Sequence, residues 1–178
     1  MYKELKETIA EMTSPGQMFS IAELEVGGQR VKSWAMAPNS LRDIWLSTAG
    51  HAEKDYLVYR DERWTYARAH DEVARIANWL VSNGIGRHDH VAIAMRNFPE
   101  WMLCYWAIAS IGAVSVGVNA WWVPEELKYG LKDSGTKLLI CDSERLARFN
   151  EIRGEFPELK VVAVRVEDLP SGVTPWSE

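Results

Sequence analysis

VAIAMRNFPEWMLCYWAIASIGAVSVGV, residues 91–118, contains the strand–helix–strand pattern that decides the fold. Val91–Met95 is a short, continuous apolar run, which is typical of a strand covered on both faces. Pro99 then begins a helix that extends to Ile111, because proline is favoured in the first helical turn. Val114–Val118 alternates β-branched with small residues and predicts a second strand. Such a unit is typical of a parallel sheet.

The rest of the C-terminal half repeats this alternation. Helices are predicted over Pro124–Leu131 and Glu144–Ile152, and strands over Leu138–Cys141 and Val161–Val166. All of the strands are short and apolar, as in a sheet with helices on both faces. Because parallel crossovers are right-handed, we predict an α/β fold with a doubly wound, mainly parallel sheet flanked by helices.

The N-terminal half combines a helix, two strand pairs and a longer helix. Three apolar residues share one face of a helix predicted over the first twelve residues: Leu5, Ile9 and Met12. Phe19–Val26 and Arg30–Met36 predict a β-hairpin, since the adjacent glycines between them permit the positive φ of a tight turn. Tyr56–Tyr59 and Arg63–Tyr66 predict a second strand pair. Apolar residues at three-to-four spacing then predict a helix over 66–80.

These elements divide the chain into three predicted segments. Residues 1–39 form an N-terminal helix and hairpin extension, which ends at Ala37-Pro38-Asn39. Residues 40–168 form an α/β subdomain that begins with a helix capped by Ser40. The last segment, 169–178, is rich in Pro, Ser, Gly and Thr and predicts a linker.

Composition limits the function classes. The 178 residues carry a formal charge of −5, and their Lys and Arg form no basic stripe. This balance argues against a nucleic-acid partner. Cys104 and Cys141 lie in apolar runs and predict buried free thiols in a reducing compartment. Met1–Glu7 carries acidic residues and lacks the apolar core of a signal peptide, which favours a cytoplasmic location.

One stretch is long and apolar enough to raise the question of a membrane span. No residue from Trp101 to Val123 is charged. Gly112 interrupts the stretch, however, and β-branched residues alternate with small ones after it. We therefore predict a buried helix followed by a buried strand, and no membrane span.

Fingerprints of nucleotide and metal sites are incomplete. Gly84-Ile85-Gly86 lacks the third glycine of a dinucleotide loop and precedes a strand instead of following one. Asp133–Lys137 lies at a helix end, where Gly135 predicts a left-handed cap and not a phosphate loop. His88 and His90 have no further metal ligands nearby in sequence. We assign no catalytic residue and no metal ligand from these motifs.

The nine tryptophans are the unusual feature of the composition. Trp121 and Trp122 follow a predicted strand that ends at Asn119. Ligands of parallel α/β sheets bind beyond the carboxyl ends of the strands. Two interpretations of these rings stay open, namely core packing and the lining of a ligand channel.

Several motifs follow one another in a specific order. They are WTY at 64–66, VAIAMRN at 91–97, PEW at 99–101, AIASIGAV at 107–114, Asn119, PEEL at 124–127, LKDS at 131–134 and LLICD at 138–142. This order, over about residues 40–166, resembles the N-terminal part of the adenylate-forming (AMP-binding) enzymes. Within that family the chain looks most like acyl-CoA synthetases, in particular bacterial fatty-acid–CoA ligases.

The resemblance implies a two-step reaction. A carboxylic acid reacts with ATP, with Mg2+, to give an acyl-adenylate, and coenzyme A then forms the thioester. The family's phosphate loop, its later acidic residues and its C-terminal domain with a lysine are not found in residues 1–178. We therefore expect this chain to be inactive alone, to bind none of these cofactors tightly, and to have the rest of a parent chain as its partner. A homo-oligomer is also compatible with exposed aromatic residues.

The resemblance also indicates candidate cofactor-binding residues. A family position two residues after the strand-end Asn approaches coenzyme A, and Trp121 occupies it here. We list Asn119, Trp121 and Trp122 as candidates for a channel wall. Two alternatives stay open: an adenylate-forming enzyme with a different acceptor, such as a luciferase or a peptide-synthetase adenylation domain, and a non-catalytic α/β interaction module.

Overall fold

The computed structural model describes residues 2–176, so Met1 of the predicted first helix and residues 177–178 of the predicted linker lie outside it. The chain divides into two compact units, Met1–Asp43 and Ile44–Glu178. The segment boundaries at 39/40 and 168/169 remain predictions.

The first unit contains a helix and a hairpin. Helix α1 spans Tyr2–Met12, and strands β1 (Ile21–Val26) and β2 (Gln29–Trp34) pair in antiparallel fashion. Gly27 and Gly28 form the turn with φ of +57° and +79°, values that favour glycine. The predicted helix and hairpin are therefore confirmed.

The second unit begins within α2, which spans Leu41–Ser47. The hydroxyl of Ser40 accepts a hydrogen bond from the Asp43 amide at 3.1 Å, as expected of an N-cap. The elements that follow are β3 (Asp55–Tyr59), β4 (Glu62–Thr65), α3 (Tyr66–Ser82), β5 (His90–Ala94), α4 (Pro99–Ser110), β6 (Val114–Gly117), α5 (Pro124–Asp133), β7 (Leu138–Asp142), α6 (Ser143–Ile152), β8 (Lys160–Val164) and β9 (Thr174–Pro175). Those from β3 to β8 alternate as predicted.

The central sheet has the strand order β6-β5-β7-β8-β9, and every pair in it is parallel. One face packs through Val91, Ile93 and Ile140 against α3 and α4. The other face packs through Ala92 and Leu139 against α5 and α6. Successive strand residues thus enter two different cores, which explains why the strands are apolar throughout. The doubly wound, mainly parallel α/β fold is confirmed.

The uncharged stretch 101–123 is divided between α4, β6 and the loop after β6. Gly112 lies between the helix and the strand with φ of +75°. None of the helices within residues 2–176 has the length and apolar content needed to cross a membrane.

Strand β9 was not predicted from the sequence. Thr174 and Pro175 extend the edge of the sheet beside β8, and the Trp176 amide donates to the Ala163 carbonyl at 3.0 Å. Proline is tolerated here because an edge strand needs hydrogen bonds on one side only. Arg75 of α3 donates to the Trp176 carbonyl at 3.2 Å and holds the segment in place.

Candidate functional site

A cavity of about 660 Å³ lies at the carboxyl ends of the parallel strands. It is lined by residues at or shortly after the ends of four of those strands and by the tip of the β3–β4 hairpin: Tyr59, Arg60, Arg96, Asn97, Phe98, Ala120, Trp121, Asp142, Ser143, Glu144, Arg145 and Arg165. The chain passes from β5 to β6 on one side and then to β7 on the other, so the strand order reverses at this point. Ligands of open α/β sheets bind at such switch points.

A buried ion pair joins the last residue of β7 to α6 at the cavity. The Asp142 carboxylate accepts hydrogen bonds from the Arg96 amide at 2.9 Å and from the Arg145 amide at 3.1 Å. It also binds the Arg145 guanidinium, and the two side chains are 5% and 3% exposed. Asp142 therefore caps α6, ties it to the end of β5 and neutralises a buried cation.

The loop after β6, residues 118–123, is held by two arginines of α6. Arg145 Nε donates to the Ala120 carbonyl at 2.7 Å. Arg148 donates to the carbonyls of Ala120 and Trp122, both at 2.9 Å. Asn119 contributes from within the loop, because its side-chain oxygen accepts from the Trp121 amide at 2.9 Å. The position of this loop is thus fixed largely through carbonyl oxygens.

The structure separates the three residues predicted for the channel wall. Trp121 lines the cavity with 67% of its surface exposed, and the Arg96 guanidinium lies 4.3 Å from its ring centroid. Trp122 instead packs into the core beside α5, where it lies against Gly130. Asn119 orients the loop and is not among the described residues that line the cavity. A role for any of the three in binding coenzyme A remains a prediction.

Sequence reasoning missed the arginines around the cavity. Arg60, Arg96, Arg145 and Arg165 line it together with only two acids, Asp142 and Glu144. Arg145 and Arg165 are paired with carboxylates. Arg60 and Arg96 contact the rings of Tyr59 and Trp121, respectively. Arg60 and Arg96 directly follow the predicted strands 56–59 and 91–95, which was the signal available in the sequence; Arg145 and Arg165, in a predicted helix and a predicted strand, carried none.

Hydrogen bonds at the cavity rim also affect ionisation. The hydrogen bond from Arg165 holds the pKa of the Glu62 carboxyl below its ordinary value, and the bonds to Glu62 correspondingly raise the pKa of Arg165. Both groups are therefore charged at neutral pH. Within residues 2–176, no three His, Cys, Asp or Glu side chains are grouped so that they could hold a metal ion.

Residues 45–177 match the family model described as AMP-binding enzyme. The chain belongs to the AMP-binding enzyme family. The match covers the second unit almost completely and leaves the helix and hairpin of the first unit outside it.

Curated relatives of this member of the AMP-binding enzyme family include CoA ligases. It is 31% identical over 148 residues to a crotonobetaine/carnitine–CoA ligase of Salmonella enteritidis. This alignment covers 78% of the chain and 29% of the relative. It is 32% identical over 120 residues to the ligase of the same name from Salmonella typhimurium, over 64% of the chain and 23% of the relative. The chain thus spans less than a third of the length of these relatives.

Solved structures show the same fold. The anthranilate CoA ligase AuaEII, determined in complex with anthranoyl-AMP, superimposes with a TM-score of 0.73 and 27% identity, over 78% of this chain and 27% of that one. A putative long-chain-fatty-acid CoA ligase from Rhodopseudomonas palustris has a TM-score of 0.72 over 80% of this chain and 36% of that one. Its identity of 20% supports the fold alone.

Proposed function

We propose that this chain is the N-terminal part of an ATP-dependent acyl-CoA ligase. The observation that carries the proposal is the cavity at the switch point of an AMP-binding fold, lined by four arginines. Relatives that cover most of the chain are CoA ligases, which supports a thioester as the product. The parent protein would therefore be an acid–thiol ligase.

The proposed reaction has two steps. A carboxylate oxygen attacks the α-phosphorus of ATP, the bond to the β-phosphate oxygen breaks, and acyl-AMP and pyrophosphate form. The thiol of coenzyme A then attacks the acyl carbon, AMP leaves, and the thiol proton is released. Adenylation is needed because AMP is a good leaving group and a carboxylate oxygen is a poor one.

The cavity fits an anionic, partly aromatic ligand. Arg60 and Arg96 face it without a carboxylate partner among the described contacts, and guanidinium groups recognise phosphate. Arg145 also keeps one buried guanidinium nitrogen without a hydrogen-bond partner among residues 2–176. We propose that Trp121 and these arginines form a wall of the coenzyme A channel, with Asn119 and Trp122 fixing the loop that carries Trp121.

The described residues do not provide a metal site, since no suitable cluster of ligands is present in residues 2–176. None of residues 2–176 is therefore proposed as a ligand of Mg2+. When bound to the parent enzyme, Mg2+ would neutralise charge on the phosphates of ATP.

The acid substrate is proposed to be a fatty acid, on the resemblance to fatty-acid–CoA ligases. The relatives' names offer two other acids to compare with it, crotonobetaine or carnitine in one case and anthranilate in the other. We further propose a cytoplasmic location, and an inactive 178-residue chain that works only with the remainder of its parent. Exposed rings such as Trp121 make self-association of the isolated chain a testable property.

ATP–pyrophosphate exchange tests the first step. We would compare the 178-residue chain with the polypeptide encoded by the full reading frame, using octanoate, palmitate, crotonobetaine and anthranilate. Exchange by the longer polypeptide alone, strongest with a fatty acid, is the expected result. Exchange by the 178-residue chain would overturn its proposed inactivity, and exchange with anthranilate or crotonobetaine only would overturn the fatty-acid assignment.

Thioester formation tests the acceptor. Coenzyme A should consume the acyl-AMP and release AMP, whereas an enzyme with another acceptor would exchange pyrophosphate without forming acyl-CoA. If the longer polypeptide neither exchanges pyrophosphate nor binds ATP, the ligase proposal fails and a non-catalytic α/β module becomes the better description.

A further inference from the structure

A second ion-pair centre borders the cavity at Arg165. Strand β8 ends at Val164, and Arg165 follows with φ of +57°, a left-handed conformation that few non-glycine residues adopt. Its Nε donates to Glu100 Oε1 at 2.9 Å, in the first turn of α4. Its two terminal nitrogens reach the two carboxylate oxygens of Glu62 at 2.8 and 3.0 Å. One side chain thus joins the sheet, a helix and the β3–β4 hairpin.

The base of the β3–β4 hairpin is anchored independently of Arg165. Trp64 is buried in the core beneath α3 and α4. The Tyr56 hydroxyl accepts a hydrogen bond from the Trp106 indole of α4 at 2.6 Å. Loss of Arg165 is therefore expected to free the tip of the hairpin while its base stays in place.

The tip of the hairpin lines the cavity through Tyr59 and Arg60. The Arg165 guanidinium lies 5.2 Å from the Tyr59 ring and 5.0 Å from the Phe98 ring, and these two rings meet edge to face at 5.7 Å. Glu62, which directly follows the turn, binds Arg165 through both carboxylate oxygens. The contacts that join the tip to β8 and α4 therefore converge on Arg165, while Arg63 braces the turn from within by donating to the Arg60 carbonyl at 2.7 Å.

Backbone strain also concentrates at this wall. Three described non-glycine residues have a positive φ, and two of them, Arg60 at +51° and Arg165 at +57°, line the cavity. Strained conformations persist where the surrounding contacts enforce them, and they cluster at binding sites. The ion pairs of Arg165 enforce it from outside the hairpin, and Arg63 does so from within, by donating to the Arg60 carbonyl at 2.7 Å.

We infer that Arg165 is a positioning residue: by holding Glu62 and Glu100 together, it fixes the hairpin tip and so sets the cavity wall formed by Tyr59 and Arg60. The part of this inference that concerns coenzyme A rests on the proposed function. The placement of the hairpin tip does not.

Substitution by lysine is the informative change. Lysine keeps one positive charge near Glu100, whose side chain is 8% exposed and whose Oε2 has no partner in residues 2–176. It cannot reproduce the fork that reaches both acids. Arg75→Lys is the matched control, because Arg75 binds both oxygens of Glu72 and contacts the Trp176 ring but does not line the cavity.

Hydrogen exchange on the 178-residue chain tests the placement of the tip. Arg165→Lys should speed exchange of the amides at 59–63 by about tenfold, as expected for the loss of a charge-assisted hydrogen bond, while 119–123 stays unchanged. Glu62→Gln, at a side chain 37% exposed, should do the same from the other partner. Unchanged exchange at 59–63 in both variants, or the same acceleration in Arg75→Lys, would overturn the inference.

Kinetics of the full-length polypeptide test the consequence for the cavity. Arg165→Lys should raise the KM for coenzyme A by about tenfold, the value of one hydrogen bond to a charged group, with kcat and ATP–pyrophosphate exchange near the parent values. An impairment of similar size in the KM for coenzyme A, in kcat and in ATP–pyrophosphate exchange would show a merely structural role. A parent polypeptide without any ligase activity would instead refute the proposed function, and hydrogen exchange alone would then decide the placement of the tip.

Discussion

The Arg145 guanidinium lies 3.0 Å from the Asp142 carboxylate, and neither side chain exposes more than 5% of its surface. The pair stands at the N-terminus of α6, where β5 and β7 end and the strand order reverses. Removing one member of a buried pair leaves the other charge without compensation in a low dielectric, which costs more than the pair itself contributes. The stability of the fold and the shape of the cavity therefore both depend on Asp142 and Arg145.

Asp142→Asn should lower the free energy of unfolding by about 3–5 kcal/mol, because it leaves Arg145 charged and buried. Urea denaturation of the 178-residue chain measures the change. Glu144→Gln is the control, since Glu144 also contacts Arg145 but is 64% exposed and should change stability by less than about 1 kcal/mol. Equal losses of unfolding free energy in the two variants would contradict the assignment of Asp142 as the main partner of the buried Arg145.

Local patterns predicted the strands and helices of the second unit because their signals are contained in short windows. The period of the apolar residues and Pro99 at a helix start are examples. Strand β9 lacks such a signal, since it has two residues, one of them proline. Pairing with β8 makes these two residues a strand, and a short window of sequence does not show which strand will lie beside them.

The candidate site was only partly predictable for the same reason. Trp121 and Trp122 have the same side chain and adjacent positions, yet one lines the cavity and the other packs against Gly130. Arg165 finds its partners 65 and 103 residues earlier in the chain, at Glu100 and Glu62. The topology of the parallel sheet brings these residues together, and their spacing in the sequence does not predict this proximity.

Gly130→Ala should destabilise the chain despite the better helix propensity of alanine. A Cβ at this position of α5 would lie 2.5 Å from Trp122 Cζ3, closer than the ring can tolerate. Overpacking costs about 1–3 kcal/mol, against a propensity gain of about 1 kcal/mol. We expect a net loss of about 1 kcal/mol in urea denaturation.

Gly154→Ala is the control for that substitution, because, apart from Gly154 and its chain neighbours, no atom of residues 2–176 lies within 4 Å of the added Cβ. It should be neutral or slightly stabilising. A Trp122→Leu background should also abolish the loss at Gly130. A stabilising Gly130→Ala in the parent would show that Trp122 moves away without cost.

The thiols of Cys104 and Cys141 should be unreactive in the folded chain. Both are free and buried, as predicted from the sequence, and burial raises the pKa of each thiol well above its ordinary value. A disulfide reagent at pH 8 should label neither residue in the native state and both in urea. A thiol that reacts rapidly without denaturant would contradict the burial described for its strand or helix.

His70 should make the chain less stable as the pH falls. Its ring stacks on Trp45 at 4.1 Å, and its Nε2 lies 3.0 Å from the Thr48 hydroxyl. That hydroxyl donates to the Trp45 carbonyl at 2.7 Å, so His70 donates to it through Nε2–H, a bond that the neutral and the protonated ring can both make. Burial lowers the pKa of His70, and the Asp71 carboxylate raises it in part.

The sign of the effect follows from these two causes. Above the ordinary histidine pKa of about 6.5, His70 is neutral in both states and its contribution is constant. As the pH falls below that value, the unfolded chain takes up the proton first, so the free energy of unfolding falls until the lower pKa of the folded state is reached.

His70→Gln should flatten this part of the stability curve between pH 8 and pH 5. Asp71→Asn, which removes the charge that raises the pKa, should steepen it. Urea denaturation across that range measures both, and an unchanged slope in His70→Gln would show that this ring is not desolvated in solution.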